Sequence, residues 1–297
     1  MTAVIRAQGL ERHFGDVHAV QGIDFEVPQG QCVGLLGPNG AGKTTTMRMI
    51  MGLTAPSAGA LDVFGTPIGA QTRAQRAQVG LVPQEDNLDP DLSVRQNLEV
   101  YGSYFGLPAA LVAERVPMLL EFMRLQEKAD ARVYALSGGM KRRLVIARSL
   151  IADPDLVILD EPTTGLDPQA RLMIWQRLLA LKSQGKTLLL TTHYMDEAQR
   201  LCDTIVVIDG GKILDIGAPK DLIARHVETH VFELPKPVPA SMTKLDLRHE
   251  DLGDAVIYYT DKPDAVLKAI GKEQPHLHRP ANLEDVFLSL TGRTLRE

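Results

Sequence analysis

Cysteine is nearly absent from this chain: two residues, Cys32 and Cys202, in 297. Both sit in hydrophobic surroundings. Two thiols so placed make no disulfide framework, and they suit a reducing compartment. Long hydrophobic runs are missing too. No uninterrupted apolar stretch approaches the ~18–20 residues that a membrane helix needs. The start, MTAVIRAQGL, has no basic region followed by a long apolar core, so no secretory signal is read there. The chain is therefore expected in the cytosol, and work at a membrane requires docking on another protein. Positive charge is not in excess. The 32 Lys and Arg against 37 Asp and Glu give a formal net charge of −5, so no global basic field calls for nucleic acid as a partner. The eight histidines show no pair spacing joined to cysteines or acids. His276-Leu277-His278 reads as a solvated loop rather than a metal site. What is plentiful is apolar material, 44% of residues, enough for a sizeable core in one domain or two.

The most informative stretch is Gly37-Pro38-Asn39-Gly40-Ala41-Gly42-Lys43-Thr44. It has the G-x-x-x-x-G-K-[ST] spacing of a phosphate-binding loop. Cys32–Leu36 before it reads as a buried strand, and Thr45–Met51 after it can continue as a helix. Glycines let backbone N–H groups close around a polyphosphate, and the helix N-terminus adds its dipole and unpaired donors. Lys43 is placed to reach the β- and γ-phosphates, and the Thr44 hydroxyl to sit on Mg²⁺.

Strands are expected over 3–8 and 23–27, joined by a loop that carries Phe14. Beside a nucleotide, that ring offers a stacking surface. Further strands are expected at Gly59–Phe64 and at Val79–Val82, the second ending at Pro83-Gln84. From Asp86 to about Arg132 the pattern turns helical. Ser93 caps a helix through Tyr104, and Pro108 opens another. The aromatics Tyr101 and Phe105 are most simply core; exposed, they would line a groove for a partner helix. Ser137-Gly138-Gly139-Met140 then opens a helix and makes a second anion cradle. Its basic trio Lys141, Arg142 and Arg143 reads as a solvated face. Leu156–Leu159 is a strand buried on both faces, ending in Asp160-Glu161 where open α/β sheets place their ligands. One carboxylate can hold Mg²⁺ and the other can orient or deprotonate water. Asp167-Pro168 starts a helix, and Thr187–Thr191 is a strand ending at Thr192-His193. A hairpin over 205–216 and a helix over 219–226 follow. After a proline-rich junction at 234–239, a strand and two helices make a small α+β tail of a size that is marginal alone.

Together these motifs closely resemble the ATP-binding cassette ATPases, the motor subunits of ABC transporters, over roughly 1–226. Gly37–Thr45, with Thr45 completing the loop, is similar to the Walker A motif. Gln84 is similar to the Q-loop glutamine, Leu136–Met140 to the signature, Asp160 to the Walker B aspartate and Glu161 to the catalytic glutamate. Asp167 is similar to the D-loop aspartate, His193 to the switch histidine and Phe14 to the adenine-stacking aromatic. The resemblance implies an α/β P-loop NTPase cassette. It would have a RecA-like core, an antiparallel β subdomain and an inserted helical subdomain at about 86–152, followed by a separate C-terminal domain over 227–297. It implies ATP and Mg²⁺, the latter held by Thr44, Gln84 and Asp160. It also implies a homodimer of cassettes in which Ser137, Gly138 and Gly139 meet the partner's ATP. Met140 departs from the common glutamine, but serine hydroxyl and glycine amides carry the phosphate contact, so activity is expected to survive. Pro83–Leu88 and the ending Asn282–Phe287 with Thr291-Gly292-Arg293 resemble a narrower group, the bacterial ABC-2-type exporter ATPases of daunorubicin resistance and nodulation-factor export. That group implies a separate integral-membrane permease and a peripheral location on the inner face of the cell membrane. An importer cassette, a soluble ABC ATPase of translation or repair, and a non-hydrolysing sensor are the alternatives. Glu161 and His193 weigh against the last, and a single cassette against the second.

Overall fold

The computed structural model describes residues 2–271 and 274–292, so Arg293 lies outside them. The chain divides into two compact units, Met1–Ile216 and Gly217–Glu297.

The first unit is built on a six-stranded sheet. Its strands are β3 (Cys32–Leu36), β6 (Val79–Val82), β7 (Leu156–Asp160), β8 (Thr187–Thr192), β9 (Thr204–Asp209) and β10 (Lys212–Gly217), in the order β10-β9-β3-β8-β7-β6. The strands from β9 to β6 pair in parallel. β3, β7 and β8 are buried at every position, which is why each is a continuous apolar run rather than an alternating one. Their register sets Leu36 beside Thr192 and Asp160 beside Thr191. The C-terminal ends of the three strands therefore share one edge.

An antiparallel sheet of β1 (Ala3–Phe14), β2 (Val17–Pro28), β4 (Ala58–Val63) and β5 (Thr66–Pro67) has the order β2-β1-β4-β5. β1 and β2 run well beyond the strands expected over 3–8 and 23–27, and meet in a tight turn at Gly15-Asp16. Phe14 is thus the last residue of a strand, paired with Val17, and not a loop residue. The pairing has register shifts between Ala7 and Leu10, Leu10 and Glu11, and Arg12 and His13. These bulges break the two-residue alternation by which the strand would be read. Ile5, Leu10, Val20 and Phe25 of this sheet share one core with Leu35, Met47, Ile158 and Val206.

Among the described residues this unit has seven α-helices: α1 (Lys43–Ile50), α2 (Arg73–Ala77), α3 (Val94–Tyr104), α4 (Ala109–Phe122), α5 (Gly138–Ser149), α6 (Pro168–Ser183) and α7 (Met195–Leu201). α3 starts in a capping box in which Ser93 and Gln96 satisfy each other's backbone N–H. On α3 Leu98 is buried, Tyr101 and Phe105 are half-buried, and Tyr104 is exposed. The aromatic stripe therefore divides between core and surface.

The second unit contains α8 (Pro219–His226), β11 (His230–Pro235), β12 (His249–Asp251), β13 (Ala255–Thr260), α9 (Pro263–Ile270), β14 (Leu277–Pro280) and α10 (Leu283–Thr291). Its antiparallel sheet has the order β12-β13-β11-β14. Phe232, Leu234, Val256 and Tyr258 pack on Val266 and Ile270 of α9. α8 packs on α10, and Ser289 Oγ donates to the His226 carbonyl at 3.2 Å. The helix at 219–226 thus lies in this unit, earlier than the junction expected at 226/227. Leu277 and His278 are in β14 rather than in a solvated loop, and the His278 ring stacks on Phe232 at 4.1 Å.

Candidate nucleotide-hydrolysis site

Gly37 to Gly42 link β3 to α1 and enclose a small space. Ala19, Asn39, Gly40, Gly42, Lys43, Thr44, Thr45, Gln84 and Glu161 line a cavity of about 170 Å³. Two glycines are obligatory. Gly42 has φ +101°, and a Cβ there would lie 2.6 Å from the Ala19 carbonyl; at Gly37 a Cβ would lie 2.1 Å from the Ile208 carbonyl. Lys43 is buried, and its ammonium donates to the carbonyls of Gly37 and Pro38 at 2.8 and 3.0 Å. These bonds curl the loop around the lysine and hold its charge at the cavity. Burial pushes the Lys43 pKa down, while Glu161 and Asp160 oppose the shift.

The carboxylates at the end of β7 have different environments. Asp160 is buried and accepts a 2.5 Å hydrogen bond from Thr191 Oγ1. Burial raises its pKa against that bond. Glu161 has φ +46°, a left-handed backbone that a non-glycine residue adopts only when its surroundings impose it. The imposition comes from β8: the Glu161 amide donates to the Thr191 carbonyl and hydroxyl at 3.2 and 3.0 Å. The turn brings Glu161 Oε1 within 3.9 Å of Lys43 Nζ and 3.3 Å of His193 Nδ1. Thr164 Oγ1 donates to the other oxygen at 3.1 Å. A carboxylate fixed between an ammonium and an imidazole, beside an anion-binding loop, can polarise a water against a bound phosphate. Thr44, Gln84 and Asp160 line a second, larger groove of about 670 Å³. These are hydroxyl, amide and carboxylate oxygens, a donor set that fits Mg²⁺.

The remaining expected residues lie apart from this cavity. Ser137 caps α5, its Oγ accepting from the Met140 amide at 3.3 Å, and Ser137 and Gly138 are exposed. Asp167 caps α6 through the amides of Gln169 and Ala170 at 3.0 and 2.9 Å. Phe14 is 47% exposed, with the Arg12 guanidinium 4.4 Å from its ring centroid. None of these lines the 170 Å³ cavity, so one chain gathers the loop, the carboxylates, Gln84 and His193, but not Ser137 and Gly138.

Residues 20–164 match the family described as ABC transporter, and residues 237–292 match that described as the nodulation factor export protein NodI C-terminal domain. The chain is 53% identical to the Nod factor export ATP-binding protein I of Cupriavidus metallidurans, with 100% of each chain covered. It is 50% identical to the protein of the same name from Ralstonia nicotianae, over 100% of this chain and 96% of the other. The chain belongs to the ABC transporter ATPase family. Among solved structures, an ATP-binding subunit of an ABC transporter matches with TM-score 0.68 and 30% identity, over 75% of this chain and 92% of that one. The subunit cbiO1 of Clostridium perfringens, part of the cbiONQ ABC transporter complex, matches with TM-score 0.70 and 29% identity over the same shares. The cassette fold is thus that of these ABC transporter subunits.

In this ABC cassette the sequence reading of α5 needs correction. Arg142, placed on a solvated face, is 5% exposed. It donates to the carbonyls of Pro162 (2.8 Å), Gln84 (3.3 Å), Asp160 (2.8 Å), Glu161 (3.2 Å) and, in a shorter bond, Pro83. One guanidinium thus ties the segment of Gln84 to the segment of Asp160 and Glu161. Burial lowers its pKa, with Asp86 and Asp160 opposing. One turn and a half later, Arg148 donates to the carbonyls of Asn87 and Asp86 at 2.6 and 3.2 Å, and its guanidinium lies 4.8 Å from the Tyr101 ring centroid. α5 therefore grips the segment from Pro83 to Asn87 by its backbone. Helical spacing of Arg142 with the buried Val145 and Ile146 was the available signal, outweighed by the charge of its neighbours.

Proposed function

We propose that this chain is the ATP-hydrolysing motor of a bacterial ABC-2-type exporter, working as a pair of cassettes beneath a separate integral-membrane permease. The observation that carries the reading is the carboxylate of Glu161, held by a left-handed backbone between Lys43 and His193 at the mouth of the glycine loop. Amides of Gly40 to Thr45 and the Lys43 ammonium bind the β- and γ-phosphates, with Pro38 and Asn39 completing the loop. Phe14 offers its exposed ring to the base. Mg²⁺, held by Thr44, Asp160 and Gln84, would neutralise phosphate charge. Glu161 accepts a proton from the attacking water, and His193 steadies Glu161 and contacts the γ-phosphate. Ser137, Gly138 and Gly139, none of which lines the cavity of their own chain, serve the ATP of the opposite cassette, and Asp167 at the start of α6 serves it with them. ATP then favours the closed pair and ADP the open one.

The exporter reading is supported by relatives that carry the name Nod factor export ATP-binding protein along their whole length, which also weighs against an importer. The membrane partner is supported by the groove that contains Gln84. Its rim exposes Leu53 (63%) and Tyr104 (69%), a shape that suits an amphipathic segment of a permease. No described helix is long and apolar enough to cross a membrane, so the cassette would reach the inner face of the cell membrane only through that partner. Co-purification from detergent-solubilised membranes tests this. Wild-type chain should carry an integral-membrane subunit, and Leu53→Asp with Tyr104→Asp should lose it while circular dichroism confirms the fold. Retention of the subunit by the double variant would place the docking surface elsewhere.

A further inference from the structure

We infer that Glu11, His13 and His18, at the end of the β1–β2 hairpin, form a binding site for one transition-metal dication of the zinc type. None of the three lines the nucleotide cavity, although His18 directly precedes Ala19, which does, and His13 directly precedes Phe14. His13 and His18 face each other directly across the two strands. Glu11 lies two residues before His13 on β1, and its carboxylate reaches both rings across the bulge between Arg12 and His13. Its Oε2 is 3.3 Å from His13 Nε2 and 3.6 Å from His18 Nε2, and one donor atom from each of the three residues falls within 4.8 Å of the others. Tetrahedral arms of about 2.0–2.1 Å put neighbouring ligand atoms about 3.3 Å apart, so the carboxylate already stands at ligand spacing from both rings. The imidazoles are stacked, with centroids 3.7 Å apart and planes at 21°. To aim both lone pairs at one ion they need to rotate out of the stack, which is a side-chain motion.

A second observation points the same way. His18 Nε2 is sheltered from solvent and has no hydrogen-bond partner among the described residues. A buried ring nitrogen without a partner carries a cost that a bound cation would remove. Two imidazoles and one carboxylate select zinc, cobalt, nickel or copper over magnesium and calcium, which prefer oxygen donors. Three protein ligands leave a coordination position for water. The neighbouring Arg12 guanidinium is held by the Ala55 carbonyl at 2.8 Å and lies over the Phe14 ring. The sequence concealed the site: Glu11 and His13 are two apart, but His18 joins them only through a bulged register.

Untagged full-length protein, stripped with a chelator and free of nucleotide, is titrated with Co²⁺ by visible absorption and then with Zn²⁺ by calorimetry. One ion per chain should bind, and Zn²⁺ should displace Co²⁺. The combined His13→Ala and His18→Ala substitutions should weaken binding by about 10–100-fold or more, since even outer partners of metal ligands carry that much. Glu11→Gln should weaken it as well, and His278→Ala should leave it unchanged. No stoichiometric binding by the wild type, unaltered binding by the double variant, or a thiolate-to-cobalt band assigning the ion to Cys32 and Cys202 would each overturn the site.

Discussion

Replacing Arg142 with alanine should loosen two functional segments at once. The guanidinium donates to five carbonyls, those of Pro83, Gln84, Asp160, Glu161 and Pro162. A hydrogen bond to a charged group contributes about 1.5–3 kcal/mol, but five bonds to one planar group are not additive. Pro83 and Gln84 also border the groove, so water can reach part of the vacated space. Removing one member of a buried charged network costs about 3–5 kcal/mol, and the access of water favours the lower end. At about 3 kcal/mol, the folding equilibrium falls roughly a hundredfold. Turnover should fall too, because a displacement of about 1 Å in a positioning group can cost about 10²-fold. Arg142→Lys keeps the charge but has three donors on a flexible stem, so it should recover only part of either loss. Urea unfolding gives the stability term, and steady-state ATPase of the folded fraction gives the other. An alanine variant with wild-type midpoint and turnover would refute the assignment of Arg142 as the tie between the two segments.

Other predictions concern the composite site, the metal and the domains. A Cβ at Gly139 would lie 2.8 Å from the Ala170 Cβ, whereas Gly138 faces open space, so Gly138→Asp is the clean test of the signature. Its carboxylate, ~4 Å from a γ-phosphate, repels by about 4 kcal/mol at an effective dielectric of 20; light scattering should find that ATP no longer dimerises Glu161→Gln chains carrying it, and persisting dimers would remove the signature from the interface. Burial raises the Asp160 pKa, so protons compete with Mg²⁺ at higher pH than for a free carboxylate near ~3.9. Mg²⁺ affinity should fall as pH drops toward that raised value, and calorimetry should find the pH dependence reduced in Asp160→Asn. Without metal the same shift favours the native state at low pH, an advantage lost as pH rises from the unfolded pKa through the folded one. A chain ending after Gly217 should keep a folded, ATP-binding cassette, since Phe232, Leu234, Val256 and Tyr258 form a core of their own; global unfolding on truncation, followed by circular dichroism, would contradict this.

The parts legible in the sequence were those fixed by local pattern. Cys32–Leu36 and Leu156–Leu159 read as buried strands, and Thr187–Thr191 as a strand, because two covered faces demand unbroken apolar runs. The glycine loop, the Ser93 cap and the helix start at Ser137-Gly138-Gly139 were legible because backbone geometry dictates residue type there. The illegible parts depend on long-range pairing. Arg142 finds its partners up to 59 positions away, and all are backbone carbonyls, which leave no trace in side-chain identity. Bulges hid the length of β1 and β2 and the meeting of His13 with His18. The helix at 219–226 is amphipathic in either unit, and only its packing on α10 assigns it.

The account rests on Glu161 as the group that activates water, and Glu161→Gln measures this most directly. The substitution keeps shape and hydrogen-bonding capacity but removes the base. Equilibrium binding of ATP should stay within a few-fold of wild type, while hydrolysis, followed as phosphate release from protein freed of contaminating ATPase, should fall by about 10²–10⁴-fold. Turnover equal to wild type with ATP binding intact would contradict the claim.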